Sequence, residues 1–222
     1  MRQGGLARLA PLSGPVFVIL MIAGFLIAGS SPNPDASDTK IAAYLTKSSN
    51  QSHNQTAWLI LLVAMLFLVA FFVTLRSRLV EAEGGIGRFG AMALGAGIAS
   101  SVFLITAISI FVSPLLAADD AGKNLLDPSV YRIAQDLGYM LWVSSVVVGA
   151  LAVWATSAAV FQTGVLPRWF GWFSVVVGII CLGALFFFPI FVYWLWILVA
   201  GILLFLRPAT VLAPVAAPQP TL

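Results

Sequence analysis

Charge is the scarcest property of this sequence. Of 222 residues, 11 are Lys or Arg and 8 are Asp or Glu, while 61% are apolar. A soluble domain carries about a quarter charged residues. So few charges cannot cover a globule in water, which excludes a soluble enzyme, a disordered chain and a nucleic-acid module. The single cysteine, Cys181, cannot form an internal disulfide, and a secreted disulfide scaffold is excluded with it. The single histidine, His53, leaves no ligand set for a metal or haem and no intramembrane Ser–His dyad. No phosphate-binding Gly-Lys loop occurs. No cofactor is expected, and catalysis is not expected either. The alternating pattern of a barrel strand is also missing. What remains is an all-α polytopic membrane protein, read as one domain over residues 1–222.

Charge-free intervals locate the membrane. Arg8 to Asp35, Lys47 to Arg76, Arg88 to Asp119 and Asp136 to Arg168 each enclose enough uncharged residues for one helix of about 20 residues across a core of about 30 Å. The last interval, 169–206, holds 38 uncharged residues. A straight helix of that length would run roughly 57 Å. It must fold back, and Pro189 is the natural break because proline lacks the backbone donor. Six spans are expected at 12–29, 57–75, 89–112, 137–161, 169–187 and 191–206, with one span plus a re-entrant piece as the competing reading of 169–206. The first span, preceded by Arg2 and Arg8 and ending in Ala28-Gly29-Ser30, resembles a signal peptide. Its apolar run is longer than a signal core, so it is expected to stay as a span.

Six spans place both termini on one side. Arg2, Arg8, Arg76, Arg78, Arg88, Arg168 and Arg207 share that side, and Lys40, Lys47, Lys123 and Arg132 the other. The positive-inside rule then puts both termini in the cytoplasm of a plasma-membrane protein. Trp58 and Trp142 fall at outer helix ends and Trp169 and Trp172 at an inner end, the levels that amphipathic rings favour. Trp154 lies deeper, as a packing residue.

Helices in lipid associate through small residues that let backbones approach. Residues at spacing four include Ala91, Gly95 and Ala99, then Ala93, Gly97 and Ser101, on the third span. The fourth carries Ser145, Gly149, Ala152 and Thr156, and the fifth Gly171, Ser174 and Gly178. Spans three and four are therefore expected to form the packed centre, through Gly95, Gly97, Ser145 and Gly149. The same faces suit a homo-oligomer or a membrane-protein partner.

Two outer loops, 30–56 and 113–136, have substance. In the first, Asp35 is expected to cap a short helix reaching about Lys47, with Ile41, Tyr44 and Leu45 on one face. Such a helix suits a position on the membrane surface or over the bundle mouth. The polar stretch 48–56 reads as loop and holds two N-glycosylation patterns, at Asn50 and Asn54. In the second, Asp127-Pro128 signals a helix start. Arg132 and Asp136, four apart, are placed to pair, and Tyr139 shares their face. The trio reads either as the floor of a small outward pocket or as a surface ion pair beside an interfacial tyrosine. The spacing of Asp119, Asp120 and Asp127 does not fit a calcium loop. The stretch 76–88 reads as a connector whose arginines meet anionic lipid.

The linker Thr163-Gly164-Val165-Leu166-Pro167-Arg168-Trp169-Phe170-Gly171-Trp172 resembles that of uncharacterised bacterial, actinobacterial-type six-span membrane proteins, as do chain length and layout. The resemblance implies an integral protein of the bacterial plasma membrane and supplies no activity. No Asp, Glu, Lys, Arg or His falls at mid-depth in any span, so ion coupling and proton relays lack their parts. Two functional readings follow: a non-enzymatic scaffold, accessory subunit or sensor, or an uncoupled carrier or pore for a small neutral or lipophilic molecule. The partner common to both is the lipid bilayer; no nucleic acid is expected.

Overall fold

The computed structural model describes residues 9–121 and 127–207. Arg2, Arg8 and Lys123, with the side chain of Asp120, lie outside the described residues. The described chain is helical, without a strand: α1 Ser13–Ala28, α2 Asp38–Thr46, α3 Ser48–Glu83, α4 Arg88–Ala121, α5 Pro128–Thr163, α6 Arg168–Leu182 and α7 Pro189–Leu206. A 3-10 turn, Ala10–Leu12, leads into α1, and another, Ala184–Phe186, separates α6 from α7. Five of the helices, α1, α3, α4, α5 and α7, are long and apolar enough to cross a membrane. That is the build of a multi-pass membrane protein. The sixth apolar helix, α6, has 15 residues, roughly 22 Å of rise.

Local chemistry explains where each helix stops. Gly84 and Gly164 take the left-handed conformation at the ends of α3 and α5, and each donates its N–H back to the last turn. The Glu83 carboxylate then accepts from the backbone N–H groups of Phe89 at 3.2 Å and Gly90 at 2.9 Å. It thereby supplies acceptors to the orphan donors that open α4. At α5 the side chain of Asp127 accepts from Ser129 N–H at 2.8 Å with Pro128 at the first helical position. The Ser129 side chain first, and this backbone bond second, lower the Asp127 pKa.

Three expectations need correction. Asp35 does not cap α2, which begins at Asp38 after Ser37; the Asp35 N–H instead donates to Asn33 Oδ1 in a turn. The stretch 48–56 is not a loop but the first turns of α3, held as helix because Asn50 and Gln51 donate to the Tyr44 and Leu45 carbonyls at the end of α2. The connector at 76–88 is mostly helix too: α3 carries Arg76 and Arg78 and leaves a turn of only four residues, Gly84 to Gly87.

The interval 169–206 does fold back, but α6 ends at Leu182, earlier than expected, and Pro189 starts α7 rather than interrupting a helix. The two arms are joined across their length by Trp196 Nε1 donating to Ser174 Oγ at 2.8 Å and by Phe170 stacked on Trp196. Their tip exposes Leu185, Phe186, Phe187 and Phe188. Within it Phe186, Phe187 and Phe188 donate to the carbonyls of Gly183, Ala184 and Phe186, and the Leu185 carbonyl accepts from Tyr139 at 2.5 Å.

Helices α4 and α5 make the most extensive pair in the bundle, and Ser100 Oγ ties them by donating to the Ser145 carbonyl at 2.8 Å. Their glycines work differently from the expectation of backbone meeting backbone. Gly97 seats the ring of Phe72 from α3, Gly149 that of Tyr193 from α7, and Gly178 on α6 that of Trp154 from α5. Gly95 is exposed and a side chain there would meet open space, so it takes no part in this packing. The rings of Phe17, Phe71, Phe72, Phe170, Tyr193 and Trp196 fill the middle of the bundle, all buried.

Candidate functional site

Helix α2 and the segment before it close one end of the bundle, the end away from residues 9 and 207. Ile41 and Leu45 of α2 are buried with Leu115 and Ala118 of α4 and Tyr131 of α5 in a small second core. This is the apolar face expected of α2, set over the bundle mouth. The segment leading into α2 is clasped from α5. Tyr131 Oη donates to the Pro32 carbonyl at 2.6 Å, and burial pushes its phenol up to about 12. Arg132 donates from Nε to the Pro34 carbonyl at 2.9 Å and from Nη2 to the Ala36 carbonyl at 3.0 Å. The same Nη2 pairs with Asp38 Oδ1 at 2.7 Å.

Arg132 therefore does not pair with Asp136. Its guanidinium is taken by the cap, two carbonyls and one carboxylate, and it is not among the residues lining the cavity beneath. Asp136, one turn further along α5, is left exposed without an ionic partner among the described residues. It lines a cavity of about 460 Å³ beneath the cap. Tyr139 lines the same cavity while its hydroxyl holds the α6–α7 tip. Of the three residues singled out in the sequence, two meet at this cavity and the third holds its roof.

Five helices and the hairpin tip build the walls. Phe25 and Ala28 come from the end of α1, and Tyr44 from α2. Asn54, Ala57, Trp58 and Leu61 come from α3, Ile108 and Phe111 from α4, and Trp142 from α5. The hairpin tip adds Phe187. Trp142 is buried, stacked on Phe187 with centroids 5.6 Å apart and met edge-on by Phe25 at 5.7 Å. Trp58 donates to Ser109 Oγ at 3.1 Å, which fixes its ring between α3 and α4. Asn54 Nδ2 donates to Tyr44 Oη at 3.2 Å and to the Asn50 carbonyl at 2.9 Å, orienting the polar rim. Burial raises the Tyr44 phenol, with the Asn54 bond opposing in part. Phe187 is held at φ 61°, in a region a ring-bearing residue seldom adopts, so tertiary contacts determine its place.

Toward the middle of the bundle the cavity ends on packed side chains. Ala64, Leu68, Leu104, Ser145 and Val146 lie just beyond Leu61, Ile108 and Trp142 in sequence, and all five are completely buried. The cavity is thus a chamber at one end of the bundle, aromatic at depth and polar at its rim. Among the described residues no Lys, Arg or His lines it, and Asp136 is its one acidic wall residue.

The sequence did not point to Phe25, Asn54, Phe111 or Phe187 for this site. Phe187 sits beside Pro189, so the break in 169–206 was a usable signal that its neighbours form a turn. The others come together only through the packing of helices remote in sequence. No protein-family model matches this chain, and no curated protein and no solved structure matches it either.

Proposed function

We propose that this multi-pass membrane protein is a non-enzymatic binding protein, a sensor or accessory subunit, that holds one small amphiphilic molecule in the chamber under its cap. The observation that carries this reading is the chamber itself. A volume of about 460 Å³ falls in the range of small-molecule sites, which combine apolar and aromatic walls with a few placed polar groups. The completely buried rings of Phe17, Phe71, Phe72, Tyr193 and Trp196 beyond it favour a receptor over a carrier.

The same reading takes six membrane-entering segments, with α6 and α7 as a hairpin whose apolar tip stays in the lipid. It puts the residue 9 and 207 end in the cytoplasm and the cap outside, on the arginine bias of 76–88, 168 and 207. Exposed Trp169 and Trp172 at the start of α6 suit the inner interface. The resemblance carried by the 163–172 linker supports a bacterial plasma membrane.

Filling the chamber tests the reading. Ala28→Phe and Ala57→Phe each project a ring into it. Wild-type protein in maltoside micelles should show saturable quenching of tryptophan emission by an aryl-alkyl amphiphile, through Trp58 and Trp142. Both variants should lose saturation while their unfolding temperatures stay close to wild type. Unchanged saturable quenching in both stably folded variants would place any binding elsewhere and end the proposal.

A further inference from the structure

Resting on the chamber as a binding site, we infer that its ligand is a lipophilic ammonium ion: an apolar body with one positive head. The charge pattern is one-sided. Among the described residues Asp136 is the chamber's acidic wall residue, exposed at the rim, and no cationic side chain lines the walls. Arg132, the cation nearest to Asp136 along α5, is drawn off by the carbonyls of Pro34 and Ala36 and by Asp38. The cap thus removes the one guanidinium that could have neutralised Asp136 from a turn away, and leaves its carboxylate facing whatever enters.

The walls are chosen in the same sense. Phe25, Trp58, Phe111 and Trp142 line the chamber with aromatic rings, and Tyr139 adds a phenol one turn from Asp136. Ring faces attract cations through their quadrupole, more so when water is excluded. An anionic head would meet the Asp136 carboxylate uncompensated, and a neutral head would gain nothing from it. A cation gains from both carboxylate and rings. Choline-headed lipids share the ammonium chemistry, but their phosphate would carry an anion towards Asp136, so a free amphiphilic amine is the better fit.

Equilibrium dialysis in maltoside micelles tests this with three probes of one shape. They are phenylbutyl-trimethylammonium, its uncharged isostere with carbon in place of nitrogen, and phenylbutyl sulfonate. The ammonium should bind about tenfold more tightly than the isostere, and the sulfonate more weakly still. Asp136→Asn should cut the advantage of the ammonium to the part the rings supply and leave the isostere unchanged, while Asp136→Glu should keep it in full. Competition by lysophosphatidylcholine as strong as by the free ammonium would assign the site to a lipid headgroup and overturn the free amine. Equal binding of ammonium and isostere, or an Asp136→Asn variant that binds ammonium as wild type does, would overturn the inference of a cation. If Ala57→Phe still removes that binding, the chamber survives as a site for a neutral ligand. Failure of all three probes to bind wild-type protein would instead remove the chamber reading itself.

Discussion

Replacing Gly149 or Gly97 by leucine should destabilise the bundle by about 1–3 kcal/mol each, the usual cost of overpacking. A Cβ at Gly149 would stand 2.6 Å from the Tyr193 ring, and one at Gly97 would run into the Phe72 ring. Gly95→Leu should unfold at the wild-type temperature, because nothing lies within 4 Å of its added Cβ. Thermal unfolding in detergent separates the three; a Gly95→Leu loss as large as that of Gly149→Leu would contradict this packing. The spacing of four marked the buried face of Ala93, Gly97 and Ser101 and the exposed face of Ala91 and Gly95 alike, and it could not say what each one meets. A glycine facing lipid and a glycine seating a ring carry the same letter, and the rings come from α3 and α7, remote in sequence. Arg132 illustrates the same limit. Its spacing from Asp136 was legible, whereas the competing acceptors Pro34, Ala36 and Asp38 lie more than ninety residues away along the chain.

Helix α2 and its leading segment form the one element held mainly by tyrosine and arginine clasps, and this makes the cap sensitive to alkali. The Tyr131 phenol ordinarily titrates at 10.0 and in the folded cap at about 12. Between those values the unfolded chain has released a proton that the folded one still holds, so stability falls as pH rises from about 10 towards 12. Below 10 the contribution is fully present. Tyr44 acts in the same direction. Tyr131→Phe should be less stable at neutral pH, through loss of the bond to Pro32, and should flatten the decline above pH 10. Unfolding temperature against pH for the two proteins checks this, and parallel curves would count against it. At this scale the sequence was informative at two places, where the 38-residue interval had to turn and where Asp127-Pro128 had to start a helix, but not at Asp35, which caps nothing. It misled at 48–56, where a polar stretch became helix because Asn50 and Gln51 found the carbonyls ending α2.

The whole molecule reads as a bundle with a solid aromatic middle and one capped chamber, and its function depends on which side that chamber faces. His53→Cys, on the exposed start of α3, and Glu81→Cys, on its exposed far end, should react with an impermeant maleimide from opposite sides of intact cells and inverted vesicles. Reaction of both from one side would contradict the crossing of α3. Composition made the membrane class legible at once, since so few charges permit nothing else. The chamber was legible only as a polar trio on α5, because its walls are ordinary membrane aromatics until five helices and the hairpin tip bring them together. The central claim, that this chamber holds an amphiphile, is tested most directly by photoaffinity labelling. A diazirine-bearing aryl-alkyl ammonium would be irradiated with wild-type protein and the adducts mapped by peptide sequencing. Adducts on Trp58, Phe111, Trp142 and Phe187 that vanish with excess unlabelled probe are expected. Adducts confined to outward-facing residues such as Leu66, Leu151 and Ile202, undiminished by competitor, would contradict the account.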